Sequence, residues 1–226
     1  MEKQKKNQVT PSMEESLNQS EAFFLKYKNA IVGGVIALIV IIGCTMWFKS
    51  YSAGKQEEAS TAMAKAQENF QNRNYELALN GDSTGTVGFL QIASEFGSTD
   101  AGNLAYLYVG LCYANMDKWE EAAQYLEKFD AANDKMVSPA ALGALGNTYA
   151  HLNQFDKAVS TLIKAAEKAD NDYLSPTFLI QAGQILEKQD KKSEALKLYK
   201  QVKEKYIKSM QTQYQTIDEY IERVSE

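Results

Sequence analysis

The sequence is poor in the residues that build covalent and chemical sites. It has two cysteines, one histidine and three prolines among 226 residues. Cys44 lies in a long apolar run and Cys112 in a predicted helix far from it, so no internal disulfide bond is expected. The few prolines and a hydrophobic content of 45% exclude disordered and collagen-like classes.

Motifs of catalysis and metal binding are also missing. His151 has no cysteine, aspartate or glutamate at metal-ligand spacing and is interpreted as a partly exposed structural histidine. The glycines Gly81, Gly85 and Gly88 are not followed by Gly-Lys-Ser/Thr and form no phosphate loop. No Gly-x-Ser-x-Gly nucleophile elbow occurs. We therefore expect a protein that is not an enzyme and that uses no cofactor or metal.

Positive charge is outweighed by negative charge, with 24 basic and 29 acidic residues and a formal net charge of −5. The first 28 residues carry five lysines and four glutamates, whereas the remainder has an excess of six acidic residues. An acidic domain argues against nucleic acid or anionic lipid as a partner, because both need a basic surface.

One uncharged run of 20 residues stands out, from Asn29 to Phe48. A helix rises about 1.5 Å per residue, so about 20 such residues cross a hydrocarbon layer of roughly 30 Å. A cleaved signal peptide is the competing interpretation. It fits poorly, because the preceding segment is long and contains four glutamates, and because Met46-Trp47-Phe48-Lys49 offers no small-residue cleavage site. We predict a tail over 1–28 and an uncleaved transmembrane helix over 29–49.

The predicted span has a face of small residues, a pattern that also occurs by chance. Its members are Ala30, Gly33, Gly34 and Ala37. Small residues four apart let two helices pack closely in lipid, so this face is a candidate for helix packing. In the tail, Ser12-x-x-Glu15 is a candidate capping box that predicts a short amphipathic helix.

Lysines around the span bias its orientation. Five lysines precede it and three follow within 20 residues, namely Lys49, Lys55 and Lys65. The positive-inside tendency favours a cytoplasmic N-terminus, by a small margin when only the nearest residues are counted.

The second half of the chain repeats a helical-hairpin pattern three times. Gly110, Gly146 and Gly183 are spaced by 36 and 37 residues. Alanine follows each glycine by 12 residues and a large apolar residue follows by 16, at Ala122, Ala158 and Ala195 and at Leu126, Leu162 and Tyr199. Glycine allows the paired helix to approach closely, although it costs about 1 kcal/mol in helix propensity.

The turns and helix starts of these copies carry their own signals. The turns contain Asp117, Asn153 and Asp190, residue types that tolerate the left-handed conformation at a helix end. Ser138-Pro139 and Ser175-Pro176 are interpreted as an N-cap serine followed by the first helical residue.

This pattern resembles the tetratricopeptide repeat (TPR), a helical hairpin of about 34 residues with Gly and Tyr in its first helix and an aromatic residue and Ala in its second. The resemblance implies repeats over 103–130, 139–167 and 176–203. The last copy has Leu186 and Lys192 where aromatic residues are expected, and the proline that ends each repeat of the motif is missing.

The ends of the array are less regular. Upstream, helical spacing of Ala59, Met63 and Phe70 is followed by Asn74-Tyr75, which resembles the turn and aromatic of another repeat. We predict a degenerate repeat over 55–98 with an inserted turn-rich loop. Downstream, an apolar stripe of Met210, Tyr214, Ile217, Ile221 and Val224 predicts one capping helix over 204–225.

The predicted fold class is therefore all-α: a single N-terminal transmembrane helix, then a TPR helical-hairpin solenoid over 50–226 with a C-terminal capping helix. In TPR arrays the first helix of each unit lines a concave groove. By the motif, the partner-binding groove consists of Leu104, Leu107, Leu111, Asn147, His151, Ile180, Gln184 and Glu187.

Such a groove, mostly apolar and uncharged, suits an extended or helical polypeptide. Some TPR domains grip a C-terminal carboxylate with lysines at positions that are Leu107, Gly143 and Ile180 in this chain, so that clamp is expected to be absent. The alternative is that neighbouring helices or the inserted loop cover part of the groove.

A short tail, one anchor and a C-terminal TPR array together resemble the YfgM family of bacterial inner-membrane proteins. The phrase Asn74-Tyr75-Glu76-Leu77-Ala78-Leu79-Asn80-Gly81-Asp82 with Phe89-Leu90 resembles anchored TPR proteins of Bacteroidetes-type bacteria. The resemblance implies a bacterial inner-membrane protein with a cytoplasmic N-terminus and a periplasmic C-terminal domain. It also implies an ancillary role at the SecYEG translocon that assists emerging proteins, alongside periplasmic chaperones.

The expected partners are proteins or peptides, and membrane lipid through one helix, but not nucleic acid. The sequence leaves open whether the chain forms a homo-oligomer. The alternative function is a structural scaffold or coordinator of an envelope or cell-division complex.

Overall fold

The computed structural model describes residues 13–83 and 85–225, and within these ranges the regular elements are α-helices joined by short turns. They are α1 (Met13–Gln71), α2 (Tyr75–Asn80), α3 (Phe89–Phe96), α4 (Asp100–Asn115), α5 (Trp119–Leu126), α6 (Val137–His151), α7 (Phe155–Ala169), α8 (Ser175–Lys188), α9 (Lys192–Lys205), α10 (Met210–Gln213) and α11 (Thr216–Ser225). The all-α prediction is confirmed.

The chain divides into two units, a first that ends at Ala53 and a second from Gly54 to Glu226. In the described part of the chain, one helix is long and apolar enough to cross a membrane, over Leu25–Gln71, and its most apolar window has no buried residue. By length and composition this helix qualifies as a membrane anchor, although a signal sequence would pass the same test.

Helix α1 is longer than the predicted span, because it runs without interruption from Met13 to Gln71. The segment contains no proline, so nothing in it removes a helical hydrogen bond. The predicted capping box depends on Ser12, which lies outside the described residues.

The left-handed turns predicted at Asp117, Asn153 and Asp190 are confirmed, with φ angles of 57°, 57° and 59°. In each turn the N–H of the left-handed residue bonds the carbonyl three residues back, and the next N–H bonds the carbonyl five residues before itself. Arg73 closes α1 with the same bonds and a φ of 61°. Four helical hairpins therefore share one turn geometry.

The repeated glycines lie where two helices of a hairpin touch. A Cβ atom on Gly110 would lie 2.5 Å from Leu126 Cγ, and one on Gly146 would lie 2.7 Å from Leu162 Cγ. Gly183 faces the ring of Tyr199 in the same way. The predicted close approach at these glycines is confirmed.

The caps of α6 and α8 are not the serines that the sequence indicated. Helix α6 begins before Ser138, and its free N–H groups at Met136, Val137 and Ser138 donate to Asp134 Oδ1 at 2.9, 2.6 and 3.1 Å. Asn171 Oδ1 accepts likewise from the first N–H groups before α8. Asp134 and Asn171 thus each accept from several N–H groups at the start of a helix. The two serine hydroxyls are buried and act as donors instead: Ser138 donates to Asp134 and Ser175 to the carbonyl of Ala166.

The prediction of one continuous capping helix over 204–225 is wrong. Helix α9 continues to Lys205, and two shorter helices, α10 and α11, follow it. Ser209 accepts the N–H of Thr212 and so starts a new helix, and Gln215, with a φ of 58°, ends it. Of the predicted stripe, Ile217 and Val224 are buried against α9, while Met210 and Tyr214 are exposed.

The interruption predicted near residue 81 is a tight loop between α2 and α3. Gly81 has a φ of 74° and pairs with Val87 in an isolated antiparallel bridge. Phe89, just after the loop, stacks on Tyr108 with ring centroids 4.8 Å apart, and Phe70 of α1 meets Tyr108 edge-on at 5.2 Å. The loop thus leads into an α3 whose first residue packs among aromatic rings of α1 and α4.

Candidate functional site

The apolar members of the predicted groove are largely withdrawn from the surface. Leu107 and Ile180 are buried, with 7% of each exposed. Leu104 and Leu111 are half-buried and pack against the cluster of Leu107, Leu126 and Ala141. Neighbouring helices therefore cover this part of the groove, as the alternative interpretation stated.

The polar members of the predicted groove come together in one cleft of about 610 Å³. Asn147 and His151 contribute from α6, and Gln184 and Glu187 from α8. The lining is completed by Ala150, Gln181, Ile185, Lys188 and Arg223. The surface formed by the first helices of two successive hairpins therefore presents polar and charged groups beside apolar ones, and the prediction of a mostly apolar, uncharged groove is wrong for this cleft.

Gln181 is the most informative side chain in this cleft. Its Oε1 atom is buried and, within the described residues, has no hydrogen-bond donor. An unpaired buried polar atom costs about 1–3 kcal/mol, so a native fold usually satisfies it. Gln181 is therefore a lining residue of the cleft whose amide oxygen has almost no solvent exposure and no partner among the described residues.

A charged cluster closes one end of the cleft. Glu187 accepts two hydrogen bonds from Arg223 of α11, from Nε and Nη2, each at 2.8 Å. The Tyr199 hydroxyl donates to the same carboxylate. The Arg223 hydrogen bonds hold the pKa of Glu187 below its usual range, while burial and the Glu187 contact raise the pKa of Tyr199. Because Glu187 is already paired, the exposed Lys188 supplies a cation at this end.

His151 lies at the rim in a defined orientation. Its ring stacks on Trp119, the first residue of α5, with centroids 3.7 Å apart and planes within 5°. Within residues 13–83 and 85–225 no group of three His, Cys, Asp or Glu side chains could hold a metal ion. The thiol of Cys112 is buried, and burial raises its pKa to about 12.

Three polar lining residues were missed by the motif: Gln181, Lys188 and Arg223. The motif placed Ile180 in the groove, but the exposed face of α8 is rotated by one residue, so that Ile180 enters the core. Gln181 and Gln184 interrupt the apolar stretch of α8 from Phe178 to Leu186, and this interruption was the signal in the sequence that could have indicated Gln181. Arg223 lies beyond the repeats, where the motif has no positions.

With this geometry established, the chain can be compared with known proteins. A family model described as "Tetratricopeptide repeat-like domain" matches residues 21–219. The chain belongs to this family. Its fold is an all-helical TPR-like solenoid, a fold that typically serves as a non-enzymatic scaffold for binding proteins or peptides.

A solved structure with a TM-score above 0.5 agrees on the fold. The TPR-like repeats of a proposed kinesin light chain from Podosopora anserina are 14% identical, with a TM-score of 0.53, over 75% of this chain and 94% of that chain. A single-substitution variant of those repeats is also 14% identical, with a TM-score of 0.48, over 77% of this chain and 94% of that chain. No curated protein matches the chain.

Proposed function

We propose that the protein is a membrane-tethered protein–protein interaction module whose polar cleft holds an extended segment of a partner polypeptide. The TPR-like fold and the long apolar N-terminal helix support this proposal. The resemblance to the YfgM family supports its finer form: an ancillary translocon-associated factor that binds or chaperones translocated proteins. In that form the N-terminus is cytoplasmic and the TPR array, over 50–226, is periplasmic.

The observation that carries the proposal is the cleft between α6 and α8, which brings the amide side chains of Asn147, Gln181 and Gln184 together. Peptide N–H groups are donors that every polypeptide offers, whatever its side chains. Asn147 and Gln184, which share the cleft, can both donate and accept, and so match a peptide group. This chemistry favours an extended backbone over a helical ligand, because the N–H and C=O groups of a helix are already paired within it.

Photo-crosslinking tests the proposal directly. A crosslinking amino acid replaces exposed Gln184 in the cleft, and a matched control replaces Lys164, which is exposed on the second helix of the same hairpin series. We expect crosslinks to translocon components or secreted clients from position 184 and not from position 164. Equal crosslinking at both sites, or none at 184 in a folded chain, would refute the assignment of the cleft.

A substitution at Gln181 separates binding from folding. In Gln181→Leu the unpaired oxygen is removed, so stability should stay the same or rise, whereas crosslinking from position 184 should fall several-fold. A loss of both together would show that Gln181 is structural only. Stable stoichiometric co-purification with one envelope partner, without clients, would favour the scaffold function instead.

Protease accessibility tests the topology. In spheroplasts, digestion of the C-terminal unit from outside supports a periplasmic array, and full protection would overturn it. We also propose that Ala30, Gly33, Gly34 and Ala37 pack against a second membrane helix, since a Cβ on either glycine would meet none of the described residues within 4 Å. Gly34→Leu should then weaken recovery of that neighbour without affecting the cleft.

A further inference from the structure

The large apolar side chains that the second unit exposes are confined to a few loops and helix ends. Within residues 54–83 and 85–225 there are six of them. They are Tyr173 (83% exposed), Tyr214 (71%), Met210 (69%), Ile207 (62%), Met136 (56%) and Val137 (45%). A folded chain leaves such groups in water at a cost, so a cluster of them indicates a surface that meets another phase or partner.

These loops lie next to one another along one edge of the array. The Asn171 side chain donates to the carbonyl of Lys135, which connects the loop before α8 to the loop before α6. The N–H of Lys208 donates to Asp172, which connects the loop before α10 to the loop before α8. We call the surface formed by residues 130–137, 170–174 and 206–214 the loop edge.

The start of the second unit belongs to the same side of the array. Gln56 of α1 accepts the N–H of Ala101 in the first turn of α4, at 3.3 Å. Asn103, also in that turn, exchanges two hydrogen bonds of 2.8 Å with the backbone of Asp130 on the loop edge. Hydrogen bonds thus connect Gln56 to the loop edge through α4.

The length of the connecting chain limits the distance between Gln56 and the predicted span. Six residues lie between Lys49, the end of that span, and Gln56, so seven residue steps join them. They cover about 10 Å if helical and at most roughly 25 Å if extended. Whatever the arrangement of the two units, a bilayer that holds the span lies within this distance of Gln56.

The loop edge carries four aspartates and two lysines, namely Asp130, Asp134, Asp170, Asp172, Lys135 and Lys208. Asp170 accepts a 2.7 Å ion pair from Lys205, and Asp134 is occupied in capping α6. Asp172 binds the N–H of Lys208. The edge therefore offers tyrosine, methionine and isoleucine tips on a surface whose own residues have a formal charge of 2 − 4 = −2, which suits the interface of a zwitterionic bilayer more than an anionic one.

The shape of the edge favours the same occupant. A hollow among its residues, between Tyr173 and Met210, has a volume of about 200 Å³, too small for a peptide segment. Separate protruding side chains can enter a soft interface individually, as interfacial aromatic residues do. We propose that the loop edge inserts these tips into the headgroup region of the bilayer that anchors the chain.

Depth-dependent quenching tests this contact in the full chain. The protein is reconstituted in phosphatidylcholine liposomes with Cys44→Ser, while Cys112 stays because it is buried. An environment-sensitive fluorophore is attached at Tyr173→Cys or Met210→Cys. The matched control is Gln154→Cys, exposed at a turn between the two helices of a hairpin.

We expect nitroxide-labelled lipid to quench the probes at 173 and 210 several-fold more strongly than the probe at 154, with little effect of added salt. Aqueous iodide should show the opposite order. Weak lipid quenching at all three positions would overturn the proposal, as would probes shielded from both quenchers, because a second copy or another protein would then occupy the edge.

A second variant tests whether the lipid quenching is caused by the attached fluorophore and not by the native side chains. In Tyr173→Ser/Met210→Ser/Tyr214→Ser, a probe at Val137→Cys should lose most of its lipid quenching while the helical content is unchanged, because all these side chains are exposed. Unchanged quenching in that variant would also overturn the proposal. Failure of this contact would leave crosslinking from Gln184 unaffected, so the two proposals fail separately.

Discussion

Replacing Gly146 with alanine tests whether the hairpins are built on close helix contact. In an open helix, the change from glycine to alanine stabilises by about 1 kcal/mol through helix propensity. At Gly146 the new Cβ would lie 2.7 Å from Leu162 Cγ and 3.3 Å from the Ala158 carbonyl oxygen. Leu162 is fully buried, so it has little room to move, and overpacking of this kind costs about 1–3 kcal/mol.

The net expectation for Gly146→Ala is a loss of roughly 0–2 kcal/mol in the free energy of unfolding. The matched control is Gly54→Ala, also in a helix, where a Cβ would meet nothing within 4 Å. There the same substitution should stabilise, by up to about 1 kcal/mol. The two variants should therefore change stability in opposite directions.

Urea unfolding of the full chain in detergent micelles measures both values. The protein has two tryptophans, so in a Trp47→Phe background the fluorescence reports on Trp119 within the array. Leu162→Ala alone should cost about 2–5 kcal/mol, and adding Gly146→Ala to it should cost less than the sum, by about 0.5–3 kcal/mol. Equal stabilisation by both glycine substitutions would refute the close contact.

Three further changes test other contacts. Asp134→Ala should destabilise the cap of α6 by about 1–2 kcal/mol. Hydrogen bonds, first that from the Ser138 hydroxyl, lower the pKa of Asp134 to about 2. Its contribution to stability should therefore be complete above its ordinary pKa and be lost as pH falls from about 4 towards 2, which carboxyl NMR titration and acid unfolding can follow. Arg223→Ala should cost roughly 1 kcal/mol and raise the pKa of Glu187, as a double-mutant cycle with Glu187→Gln would show; a coupling near zero would contradict the pairing. His151→Ala should expose one face of Trp119 and shift its emission to longer wavelength, and an unchanged spectrum would contradict the stacking.

Short-range signals in the sequence were sufficient to predict the helical hairpins. Asp117 and Asn153 indicate left-handed turns in the sequence, because aspartate and asparagine tolerate that backbone conformation. Arg73 adopts the same conformation without any such signal, since the requirement comes from the packing of α1 and α2 and not from the residue. The caps were misassigned because Ser-Pro is the stronger local pattern, whereas Asp134 acts from four residues upstream of Ser138.

The site was predictable only in part, for a geometric reason. Adjacent residues of a helix point about 100° apart, so a shift of one position exchanges a buried residue for an exposed one. The motif placed Ile180 in the groove, while the structure gives that role to Gln181. Arg223 reaches the cleft from a helix outside the repeats, and only tertiary structure brings it there.

The contact between Glu187, Tyr199 and Arg223 also joins the last hairpin to α11. In the two preceding hairpins the residue facing the glycine is Leu126 or Leu162, which has no hydroxyl and needs no acceptor. Tyr199 in the last hairpin does need one, and Glu187 then needs the cation that α11 supplies. The last hairpin therefore differs from the two before it at the position that faces its glycine, and this difference connects it to α11.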